Sequence, residues 1–173
     1  RFCAKLTNRE REAQRVPPGY VYRLPTEAEW EFAARGGSRA PFSFGGTATP
    51  EDGNFQGRYS PDTIGGLSPD GRYGTLPVGR FPPNAFGLYD VHGNVAEWTL
   101  DRYWDRLPGG REIEPLNLSR GRGRAVRGGS WRDSADRVRS AARKGLPSDA
   151  ERNSLGFRVV LAREIPGLFP VEK

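Results

Sequence analysis

Apolar residues recur with a helical period in only two stretches of the chain. In R-F-C-A-K-L-T-N-R-E-R-E-A-Q, Phe2, Leu6 and Ala13 share one face, and Pro17-Pro18-Gly19 stops the helix. The chain enters this helix midway, so the reading expects an upstream segment before Arg1. In L-P-T-E-A-E-W-E-F-A-A-R-G-G, Thr26 is a good N-cap, Glu29 completes a capping box and Gly36 is a natural stop. Trp30, Ala33 and Ala34 fall on one face of that helix and are expected in the core.

The remaining pattern is short and broken. From Pro41 to Pro83 nearly every fourth residue is Gly, Pro, Asp or Asn, which predicts an ordered meander without long elements. A-V-R-G-G-S-W (125–131) reads as a strand running into a turn. L-G-F-R-V-V-L (155–161) reads as a final strand with Leu155, Phe157, Val159 and Leu161 on one side. Residues 100–124 read as polar surface, and 132–154 as an exposed strand followed by a long loop.

Composition supports this picture. Of 173 residues only 35% are hydrophobic, and 23 Gly with 15 Pro leave about a fifth of the chain as breakers of regular structure. A loop-rich fold of short strands follows, with loops held by packing or by bound ions. The net charge of +6 comes mostly from arginine, clustered somewhat between Arg120 and Arg143. No basic repeat interleaved with aromatics accompanies it, so nucleic acid is not indicated. Cys3 is the only cysteine, which excludes an intrachain disulfide and a Cys-based zinc cluster and favours a reducing, cytoplasmic setting. No apolar run of 18 residues exists, so no membrane span is expected, and Arg1-Phe2-Cys3 does not resemble a signal peptide. Abundant Arg and Pro with no Met suit a thermophilic or GC-rich bacterial source.

The densest chemistry lies in G-L-Y-D-V-H-G-N-V-A-E-W (87–98). A tight Gly93-Asn94 loop could aim the carboxylates of Asp90 and Glu97, with the carbonyls of Gly93 and Val95, at one hard cation such as Ca2+. A Gly-Asn turn flanked by two solvated acids explains the same residues. Gly53 to Gly57 and Pro69 to Arg72 are two further candidate turns with oxygen ligands. His92, the sole histidine, reads as a packed or solvated turn residue.

Four ordered motifs carry a resemblance: R-L-P-T-E-A-E-W-E-F-A-A-R, F-G-L-Y-D-V-H-G-N-V-A-E-W, R-G-G-S-W and L-G-F-R-V-V. In order and spacing they resemble the formylglycine-generating enzyme (sulfatase-modifying factor) superfamily. The resemblance implies an α+β, C-type lectin-like fold with two or three helices and short antiparallel strands. It also implies that residues 1–173 form a single domain whose N-terminal part lies upstream. It implies two structural calcium sites: Asn54, the Phe55 carbonyl, Asp70 and the Arg72 carbonyl, then Asp90, the Gly93 carbonyl, the Val95 carbonyl and Glu97.

Catalysis is not implied. Enzymes of the family bind copper through a cysteine pair just after G-G-S and oxidise a substrate cysteine to formylglycine. Here Asp133 and Ala135 stand about where that pair should be, Ala96 replaces a Trp common in the enzymes, and Ser154 replaces a common active-site Asn. No copper is therefore expected. A formylglycine-generating or related oxidoreductase, and an accessory or regulatory domain of a larger protein, are the alternative functions.

The segment 132–154 is similar to the variable region of proteins diversified by retroelements, in which polar positions sit between framework residues. Trp131, Arg132, Asp133, Ser134, Asp136 and Arg137 form its first half as a candidate ligand surface. Ala142, Lys144, Leu146, Ser148, Asn153 and Ser154 form its second. A protein or other macromolecule is the expected ligand, and a solvated polar loop is the alternative. Oligomeric state is not legible.

Overall fold

The computed structural model describes residues 1–57, 59–60, 63–64, 74–107, 113 and 115–168. In chain order its elements are α1 (Phe2–Glu12), β1 (Tyr20–Arg23), α2 (Glu27–Arg35), β2 (Tyr59–Ser60), β3 (Thr63–Ile64), β4 (Ala96–Arg102), β5 (Arg124–Arg127), β6 (Lys144–Leu146), β7 (Leu155–Gly156) and β8 (Val160–Arg163). A 3-10 turn spans Ala135–Arg137. This is a mixed α+β chain of short strands joined by long loops. Among the described residues no helix is long and apolar enough to cross a membrane.

Residues 1–25 and 158–173 cluster as one unit and 26–157 as another. In the smaller unit β1 pairs antiparallel with β8, Tyr20 opposite Arg163. The side of α1 that becomes buried carries Thr7 and Glu10, while Phe2 is exposed, contrary to the apolar face expected from Phe2 and Leu6. Polar satisfaction decides this: Thr7 Oγ1 accepts from the Tyr22 N–H at 2.9 Å, and Glu10 accepts from Arg15 at 2.6 Å and Arg9 at 2.9 Å.

In the larger unit α2 forms as its sequence requires. Thr26 Oγ1 accepts from the Glu29 N–H, Glu29 accepts from the Thr26 N–H, and Gly36 ends the helix in the left-handed region. A distant residue adds to the cap, since Asp101 Oδ2 accepts from the Glu27 N–H at 2.6 Å. The four-stranded sheet runs β6-β5-β4-β7, with β7 parallel to β4 and the other pairs antiparallel.

Among the described residues its core is three small clusters. Trp30 and Ala34 pack on Val91; Phe42, Ala48, Phe55, Ala135 and Val138 form the second; Ala96, Val126 and Leu146 form the third. Two expectations are corrected. The strand expected over 155–161 is divided into β7, which pairs with β4, and β8, which pairs with β1; Phe157 between them is exposed. The strand expected after Arg132 is instead the 3-10 turn, which drives Ala135 and Val138 inward to meet Phe42 and Phe55.

Candidate functional site

The turn after β5 fixes the site. Gly128 and Gly129 both hold positive φ, and a Cβ on Gly129 would lie 2.7 Å from the Val138 side chain, so only glycine lets the chain turn here. Beyond it Ser130 is buried and held by Asp133, whose Oδ2 accepts from the Ser130 N–H at 3.0 Å and its hydroxyl at 2.6 Å. The next residues are pinned from outside. Gln56 donates its backbone N–H to the Asp133 carbonyl at 2.9 Å and accepts from the Ala135 N–H at 3.0 Å; its side-chain amide donates to the Trp131 carbonyl at 2.9 Å. Farther along, Ser140 is wholly buried and its carbonyl accepts from Arg127 at 2.6 Å.

This backbone encloses a cleft of about 370 Å³ lined by Arg132, Asp133, Ser134, Arg137, Ala142, Arg143 and Lys144, together with Ala96, Val126 and Gly129. Half of the twelve expected surface residues thus meet at one place. The others do not line it. Trp131 is half-buried beside the Asn153 carbonyl, and Ser148 and Asn153 are exposed elsewhere. Asp136 faces Ser134 and Arg137. Leu146, 7% exposed, is a correction: β6 pairs with β5 and carries its side chain into the core with Ala96 and Val126. Ser154 is likewise buried, its carbonyl accepting from the Ala96 N–H at 2.9 Å.

Through Arg143 the cleft adjoins an ion-pair network that the linear sequence does not announce. Arg127, 1% exposed, donates to Glu27 at 2.9 Å and Glu31 at 2.6 Å. Arg143 donates to both Glu27 oxygens, at 2.6 and 2.7 Å. Burial pushes the Glu31 carboxyl upward, but Arg127 and Arg35 outweigh it and hold the group below its ordinary range. Burial raises Asp101, opposed by the N–H groups of Asn117 and Glu27.

The proposed cation ligands fall as follows. Asn54 is 1% exposed; its amide nitrogen donates to the Gly74 carbonyl at 3.0 Å and Asn94 Oδ1 at 3.1 Å, while its own Oδ1 has no hydrogen-bond partner among the described residues. Phe55 is core, and Asp70 and Arg72 lie outside the described residues. Asp90 holds a positive φ and accepts from the Gly79 N–H at 2.7 Å. Glu97 is buried and accepts from the Trp30 indole at 2.6 Å. Gly93 pairs with Asn54 in a parallel bridge so close that a Cβ there would stand 2.2 Å from the Asn54 carbonyl oxygen, and half-buried Val95 follows it. Among the described residues no three His, Cys, Asp or Glu side chains gather at one point, so a cation held here would draw on amide and backbone oxygens.

His92 is a structural residue. The Ser43 N–H donates to its Nε2 at 3.0 Å, which leaves the proton on Nδ1 to be donated to the Val138 carbonyl at 2.8 Å. Burial lowers its pKa, only partly offset by that carbonyl, and keeps the ring neutral.

The chain matches the sulfatase-modifying factor enzyme 1-like domain family over residues 1–163. It is 41% identical over 144 residues to the inactive C-alpha-formylglycine-generating enzyme 2 of Mus musculus, covering 79% of this chain and 42% of that protein. It is 38% identical over 144 residues to the formylglycine-generating enzyme of Mus musculus, covering 79% and 38%. The solved structure of Treponema denticola variable protein 1 superposes with a TM-score of 0.66 at 35% identity, covering 83% of this chain and 48% of that one. The chain therefore spans half or less of the length of these relatives.

Proposed function

The chain belongs to the sulfatase-modifying factor enzyme 1-like domain family, with its C-type lectin-like α+β fold, and on that premise we propose a non-catalytic, ligand-binding role. The cleft lined by Arg132, Asp133, Ser134, Arg137, Ala142, Arg143 and Lys144 is the binding surface, with exposed side chains such as Arg132, Arg137 and Lys144 the variable part and its backbone the fixed part. The observation that carries this reading is the use made of the two positions where the family's enzymes place their cysteines. Asp133 is consumed in holding Ser130, and Ala135 is packed against Phe42 and Phe55. The cleft is lined by no thiol or imidazole, and the one imidazole of the chain is sealed against Ser43 and Val138. That leaves the cleft residues contact and charge to work with. Similarity to an inactive relative and to a variable protein agrees with this; similarity to an active enzyme makes the chemical test necessary. The family match over 1–163 supports treating the chain as one domain of that type.

Calcium belongs to the same proposal as a brace. A buried amide oxygen without a donor, such as Asn54 Oδ1, is expensive unless a cation or water meets it. A cation held by Asn54, the Phe55 carbonyl, Asp70 and the Arg72 carbonyl would neutralise that cost and supply only electrostatic anchoring. Asn54 and Phe55 then lead directly to Gln56, which pins the 131–135 backbone. A backbone fixed before binding loses little conformational entropy when a ligand arrives.

Two measurements test the reading. Incubation with copper and a Cys-x-Pro-x-Arg peptide is expected to leave the cysteine unchanged; a formylglycine mass overturns the non-catalytic role. Selection of a random peptide library on the immobilised protein is expected to enrich binders that are lost when Ala142→Trp fills the cleft. Enrichment indifferent to Ala142→Trp, or none, overturns the binding surface.

A further inference from the structure

The charges around the cleft are unevenly engaged. Arg143 is firmly engaged, donating to both Glu27 oxygens and to the Trp104 carbonyl at 2.9 Å. Lys144 stands 3.8 Å from Asp133, and Arg137 stands 3.5 Å from Asp136. Both cations are exposed, and such loose pairs add little to stability, so they exchange readily for another partner. Arg132 differs from all three. Among the described residues it has no acidic partner; its guanidinium lies 5.3 Å over the Trp131 ring. Stacking restricts a long side chain while leaving its N–H edges available.

From this we infer that the cleft recognises a carboxylate, carried by an aspartate or glutamate side chain of a protein ligand, with Arg132 as its bidentate anchor and Lys144 and Arg137 as flanking cations. The inference rests on the reading of the cleft as the binding surface. A planar carboxylate matches the guanidinium fork, and charge-assisted pairs of this kind are about twice as strong as neutral hydrogen bonds. The neighbouring acids select among anions. Asp133 in the wall and Asp136 beside Arg137 repel a dianionic phosphate more than a monoanionic carboxylate. A nucleic acid needs cations repeated along a track, whereas here Arg132, Arg137, Arg143 and Lys144 line one hollow of about 370 Å³.

The peptides enriched in the selection above supply the test. Acidic sequences are expected to dominate, with affinity falling as salt rises. A representative acidic peptide titrated by calorimetry is expected to lose roughly tenfold in affinity to Arg132→Lys, which keeps the charge but not the fork, and more to Arg132→Ala. Arg137→Gln with Lys144→Gln is expected to weaken binding strongly while moving the melting temperature little, because both side chains are exposed and their ion pairs are loose. Binders that need the open cleft but lack acidic residues would overturn the carboxylate inference and leave the binding surface standing. Equal affinity for wild type and Arg132→Ala would overturn it as well. Absence of any enrichment sensitive to Ala142→Trp removes the surface itself, and the inference with it.

Discussion

The Trp30 indole donates to Glu97 Oε2 at 2.6 Å inside the protein, fastening α2 to β4. The same ring lies 5.3 Å beneath the Arg127 guanidinium, so one side chain serves a buried anion with its edge and a buried cation with its face. Trp30→Phe keeps an aromatic ring and removes the donor. A loss of about 1–3 kcal/mol in urea unfolding is expected, because a buried carboxylate loses a partner that water cannot replace. An unchanged midpoint would mean that the bond carries no net stability.

Glu31 provides a pH signature. Its carboxyl is held below its ordinary value in the folded protein, so the folded state binds that proton less readily than the unfolded chain. Its contribution to stability is therefore present above the ordinary glutamate pKa of about 4.3 and disappears as pH falls through the lower folded value. The difference in unfolding free energy between wild type and Glu31→Gln should follow this course, and taking the difference cancels the opposite behaviour of Asp101. A difference independent of pH would contradict the pairing with Arg127.

Calcium is expected to raise the melting temperature and a chelator to lower it. At one hundred times the dissociation constant the gain is about 2.7 kcal/mol for one site. Asn54→Leu removes the donor-less oxygen and should abolish the part of the rise that depends on that site. Identical melting curves with and without chelator would exclude a calcium brace.

Gln56→Ala removes the bond to the Trp131 carbonyl but leaves the two backbone bonds to 133 and 135. The expected cost is about 1 kcal/mol in stability. Faster amide exchange confined to 131–135 should accompany it. Ligand affinity should fall too, since the ligand must then order the segment itself. Unaltered exchange there would show that the side chain is not what holds the surface.

Local signals were the legible ones. The α2 cap and stop and the glycine turn after β5 rest on neighbours within a few residues, whereas much of the meander expected over 41–83 lies outside the described residues. Partnerships across the chain were not readable: Arg127 meets Glu27 one hundred residues away, and Arg143 meets the same Glu27 from 116 away. Leu146 looks like one more variable position until β6 is seen to pair with β5, and Gln56 looks like an ordinary turn residue until its bond to Trp131 is known. Only six of the twelve residues proposed from the sequence line one hollow, because polarity marks exposure but not which exposed residues converge.

Ser140 lies wholly inside, its carbonyl gripped by Arg127, midway along a stretch whose outward neighbours face water. The stretch is thus nailed down at its centre as well as its ends. Exposed side chains on either side of Ser140 can therefore be exchanged without releasing the backbone that carries them.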